Sequence, residues 1–78
     1  MRTRRHRVIM TFHTTTDALS VESCCAQCGV SGRLIPVPSL ISAGCGMCFS
    51  APPEERQALR DAAARAGVTP AGVYEMML

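Results

Sequence analysis

The sequence predicts an α+β fold, and three observations carry that expectation. Residues 7–13 set Val8, Met10 and Phe12 against Ile9, Thr11 and His13 at the two-residue period of a half-buried strand. Two segments with apolar residues at helical spacing follow, at 18–28 and after Pro52-Pro53. Three further short apolar runs lie around them, at 33–37, 45–50 and 73–78. The element order is therefore β-α-β-β-α-β. Right-handed crossovers then favour the ferredoxin-like arrangement: one four-stranded antiparallel sheet of order 4-1-3-2 with both helices on one face.

The whole chain is 78 residues long, enough for one domain and a small core. We expect residues 1–6 to be a disordered basic arm and residues 7–78 to be the single domain. The first strand is read as Arg7–His13, with Val8, Met10 and Phe12 on one side and Ile9, Thr11 and His13 on the other. Thr14-Thr15-Thr16-Asp17 reads as a loop and helix start, with a threonine hydroxyl as cap and Asp17 at the positive helix pole. The first helix covers Ala18–Cys28. Ala18, Val21, Cys25 and Cys28 form its apolar face, Cys24 flanks that face, and Gly29 stops the helix.

Arg33–Val37 is the second strand. Pro36 and Pro38 cannot donate to a ladder, so an edge position is expected. Ser39–Gly44 is a loop, and the third strand runs from Cys45 or Gly46 to Ser50. Pro52-Pro53-Glu54-Glu55 opens the second helix. Ala58, Leu59, Ala62, Ala63 and Ala66 are its buried stripe, and Gly67 ends it. Val73–Leu78 is the fourth strand.

Net charge is +2, which says little about partners. No apolar run approaches the ~20 residues of a membrane span. Thr11, His13 and Thr14–Asp17 interrupt the run that follows the arginines, unlike a secretory leader. With only Phe12, Phe49 and Tyr74 as aromatics, the sheet lacks the stacking platform of RNA-binding sheets. The expectation is a cytoplasmic protein without membrane or nucleic-acid partners and without a resident cofactor or metal.

The chemistry points to the cysteines. Five is an odd number and cannot all pair within one chain, so thiol or metal chemistry is the better reading. Cys45 stands between Gly44 and Gly46, which leave it open to another molecule. The expected topology puts Cys45 at the same end of the sheet as the first helix start, where free N–H groups favour a thiolate. His13, Thr14 and Thr15 are expected there as well, with His13 able to add charge or shuttle a proton. Cys48 is a candidate resolving thiol for Cys45. The rival is metal binding: Cys25-x2-Cys28 and Cys45-x2-Cys48 have the spacing of a four-cysteine zinc or iron–sulfur module. A third reading is an adaptor that forms a homodimer through the sheet face left open by the helices, with Ile9 on that face.

Four blocks also carry a resemblance. Thr11-Phe12-His13-Thr14-Thr15-Thr16-Asp17-Ala18-Leu19, Gly32–Pro38, Ile41–Met47 and Gly72-Val73-Tyr74-Glu75 together resemble a small bacterial family described as putative selenium/sulfur carrier protein-like. The resemblance spans about residues 7–78. It implies a cytosolic protein tied to sulfur or selenium trafficking, a carrier rather than a turnover enzyme. Cys45, followed by Gly46, corresponds to the marked cysteine of the family. Its implied partners are a cysteine desulfurase-type donor or selenium-pathway proteins. Ser39 stands where a basic residue is common.

Overall fold

The structure is a computed structural model that describes residues 5–39, 41 and 45–77. Its elements are β1 (His6–Thr11), α1 (Thr15–Cys28), β2 (Arg33–Pro36), β3 (Met47–Ala51), a 3-10 turn (Pro53–Glu55), α2 (Arg56–Arg65) and β4 (Gly72–Met77). The four strands form one antiparallel sheet in the order β2-β3-β1-β4, which counted from the β4 edge reads 4-1-3-2. The proline-bearing β2 is an edge strand, and Pro36 lies opposite Met47 at its end.

Local chemistry explains where the elements begin and end. Thr14 is extended (φ −137°, ψ 158°) and its hydroxyl accepts from the Asp17 N–H at 3.1 Å, so α1 starts at Thr15, earlier than the apolar spacing suggested. Gly29 adopts φ 76° and closes the other end, its N–H and that of Val30 both turning back to the Cys25 carbonyl. After Pro52 the chain makes one 3-10 turn before α2, so the helix proper is shorter than the proline-to-glycine span.

The helix side of the sheet holds the main core. Val8, Met10 and Phe12 from β1 and its continuation pack with Ala18, Val21 and Cys25 of α1, Phe49 and Ala51 of β3, and Leu59, Ala62 and Ala63 of α2. Fully burying side chains of this size contributes about 1.5–3 kcal/mol each for the larger ones. In α2 the buried stripe is narrower than expected, since Ala58 is exposed and Ala66 only partly covered.

The other side of the sheet departs from expectation. β1 was expected to be half buried, with Ile9 on an open face. Instead Val8, Ile9, Met10 and Thr11 are all buried, and Ile9 is 0% exposed. Ile9 forms a second cluster with Ile41 and Cys48, joined by Ile35, Val37 and Met76. Val37 and Ile41 belong to the segment after β2. The main-chain bonds Val37 N–H to Gly46 O (3.0 Å) and Ile41 N–H to Pro38 O (2.9 Å) hold these two residues in place. The chain thus covers its own sheet face at Ile9. Among the described residues, the large apolar side chains left exposed are Leu19, Tyr74 and Met77.

Of the basic start, Arg5 and His6 lie in the described region, and His6 is already the first residue of β1. It pairs with Met77 across the sheet, and its ring Nε2 lies 2.7 Å from Glu75 Oε1.

Candidate functional site: a glycine-flanked thiol at the sheet end

Cys45 and Gly46 precede β3. The register sets Thr11 opposite Cys48, so the chain after Thr11 and the chain before Cys48 leave the sheet at one end. That is also the end where β1 leads into α1, through His13 and the capping Thr14. His13, Thr14 and Thr15 are all exposed there. Gly44, Leu40, Ser42 and Ala43 lie outside the described residues, so the glycine expected on the near side of the thiol has no structural description.

Cys45 is a free, partly buried thiol packed against the helix-side core. Among the described residues, its sulfur exchanges two hydrogen bonds with Met47. The S–H donates to the Met47 carbonyl at 3.3 Å, and the Met47 N–H donates to the sulfur at 3.4 Å. On loss of the proton the first contact ends and the second remains, leaving a main-chain donor aimed at the sulfur. This main-chain partner has no side-chain signature, and the sequence held no sign of it.

Gly46 makes this geometry possible. Its φ of 78° is the left-handed conformation that side-chain-bearing residues adopt only at a cost. Among the described residues, a Cβ built there would meet nothing within 4 Å.

Cys48 is placed differently. It is 0% exposed in the Ile9 cluster, with its sulfur 3.9 Å from the Pro36 carbonyl. Burial, then the nearby Cys45, pushes its thiol up to about 11. It reaches an incoming group only after local opening.

The remaining cysteines do not assemble the four-cysteine module. Cys25 sits in the core on the helix side, where burial and then the neighbouring Cys24 raise it to about 11. Cys48 lies in the cluster on the opposite side of the sheet. Cys28, expected on the apolar face of α1, is exposed. The fourteen-residue helix turns it toward α2 instead, where Arg65 Nη1 lies 3.8 Å from its sulfur. Among the described residues, no three His, Cys, Asp or Glu side chains come together as a metal-binding group.

The comparison with known families covers the stretch that contains this geometry. A family model described as putative Se/S carrier protein-like matches residues 7–75, nearly the whole chain and both flanks of the thiol. The chain belongs to this family. No curated protein and no solved structure matches it. No helix among the described residues of this Se/S carrier-like chain is long and apolar enough to cross a membrane. Arg33 of the Gly32–Pro38 block is exposed at the edge strand, at the end of β2 away from Cys45. Gly32 of the same block is structural. Its φ of 142° and the Ser50 carbonyl, 2.2 Å from where a Cβ would stand, admit no side chain.

Proposed function

We propose that this protein carries sulfane sulfur, or its selenium counterpart, as a persulfide on Cys45 and relays it between partner proteins. The observation that supports this most is the partly buried Cys45 sulfur, with a main-chain N–H aimed at it and no described residue within 4 Å of where a Gly46 side chain would begin. Membership of a carrier family agrees with it.

Loading is a transfer without net oxidation. The Cys45 thiolate attacks the outer sulfur of a donor persulfide, R–S–SH. The S–S bond of the donor breaks, R–S⁻ leaves, and Cys45–S–SH forms. Unloading is the same step toward an acceptor thiolate. A carrier that works in this way needs no acid–base residue of its own. The Met47 N–H can stay on the inner sulfur while the outer sulfur is passed on. A cysteine desulfurase-type protein is the donor class that fits, and a selenium-pathway protein is the donor for the selenium cargo. Cys48 would serve as resolving thiol only in a locally opened state. We read the architecture as ferredoxin-like and the setting as the bacterial cytoplasm.

The test is mass spectrometry of the intact protein and its peptides after incubation with a persulfidated donor. An adduct of about 32 Da on the Cys45 peptide, absent from Cys45→Ser, is expected. A selenium isotope pattern on the same peptide identifies the other cargo. Adducts confined to Cys24 or Cys28 overturn the reading.

A further inference from the structure

The cysteines that the Cys45 site does not use form a pair of their own. Cys24 and Cys28 are four residues apart on α1, which brings them to one stripe of the helix. Their sulfur atoms lie 4.0 Å apart. Cys24 is partly buried and Cys28 exposed, so the pair opens to solvent. Both line a groove between α1 and α2 whose far wall includes Ala58, Ala62 and Arg65. Arg65 reaches across, with Nη1 3.8 Å from the Cys28 sulfur.

We propose that Cys24 and Cys28 form a two-thiolate site for a soft monovalent cation of the Cu(I) class, independent of Cys45. Three physical arguments select this ligand. Thiolates prefer soft ions, and Cu(I) is the first-row ion most suited to them. Metal–sulfur bonds of about 2.3 Å reach both sulfurs at a separation of 4.0 Å. Widening the pair by about half an ångström brings the ion into line between them. Finally, charge chooses among the soft ions. Two thiolates and a monovalent ion leave one net negative charge, which the Arg65 guanidinium offsets. A structural zinc ion asks for four ligands. Among the described residues no third His, Cys, Asp or Glu joins the pair. Asp61, the carboxylate in the same groove, accepts from Gln57 Nε2 at 2.9 Å.

The test is anaerobic titration of the reduced full-length protein with Cu(I) against a chromogenic Cu(I) chelator. One equivalent should bind to the wild type and to Cys45→Ser. Cys28→Ser, at an exposed position that the fold does not need, should weaken binding at least ~100-fold with an unchanged circular dichroism spectrum. Arg65→Ala keeps both thiols and should weaken it roughly tenfold. X-ray absorption of the loaded protein should show two sulfur neighbours. Equal binding by Cys28→Ser, loss of binding in Cys45→Ser, or a shell of three or four sulfurs overturns the proposal. The Cys45→Ser arm separates it from the carrier reading, which that variant abolishes and this site survives.

Discussion

Cys45 and Cys48 stand three positions apart in the chain and pack on opposite sides of the sheet. Cys45 contacts the helix-side core at the sheet end, while Cys48 is sealed beside Ile9. The C-G-M-C spacing therefore separates the two sulfurs chemically. One is half open, and the other is buried with its thiol held in the neutral form.

That difference predicts a labelling order. Cys25 and Cys48, both near 11, have about one thiolate in a thousand at pH 8 and no solvent access. A pulse of iodoacetamide on the native protein should mark Cys45 and Cys28 first. Cys25 and Cys48 should appear only at the rate of opening, as mass spectrometry of successive time points would show.

The same two thiols contribute to the alkaline limb of stability. Their folded values are raised above the ordinary 9.0. Between pH 9 and 11 the unfolded chain releases protons that the folded chain keeps, so unfolding becomes easier as pH rises. Urea melts should lose stability across that window. Cys48→Ala should flatten the loss, and an unaltered slope in that variant would contradict the assignment.

Glu75 contributes to the acid limb. Its carboxyl is held below the usual range, first by the hydrogen bond from His6 and then by Arg56 of α2, which also pairs with it. A depressed carboxyl contributes stability above about pH 4.5 that fades as pH falls through its folded value. Glu75→Gln should remove that dependence. The effect is modest, since the group is exposed and salt screens it.

Two glycines should respond differently to alanine. At Gly32 a methyl group meets the Ser50 carbonyl and the Phe49 ring, with φ at 142°. The cost should exceed about 2 kcal/mol, since the edge strand must move. At Gly46 no described residue stands in the way and the backbone conformation resists, at about 1–2 kcal/mol. Denaturant midpoints compare the two directly. Gly46→Ala should also slow persulfide loading at Cys45, which a purely structural Gly46 would leave unchanged.

Ile9→Ala tests the covered sheet face. A fully buried isoleucine should cost about 2–5 kcal/mol, whereas a solvent-facing one would cost under about 0.5. A small effect would mean that Val37 and Ile41 do not seal it.

Local patterns determined a large part of this molecule. The alternation of Val8, Met10 and Phe12, the Thr14 cap, Gly29 and the prolines of β2 act over a few residues. Their consequences are visible without a fold. The family resemblance around Cys45-Gly46 was legible for the same reason. Only the tertiary structure decided that Ile9 and Cys48 are sealed, because the segment that covers them lies about thirty residues from Ile9 and carries no periodicity. It also decided that Cys28 leaves the core and meets Arg65. That contact joins positions 37 residues apart, and helix-on-helix packing sets it. The i, i+4 spacing of Cys24 and Cys28 stood in the sequence throughout, but the groove and the cation beside it exist only once α2 docks on α1.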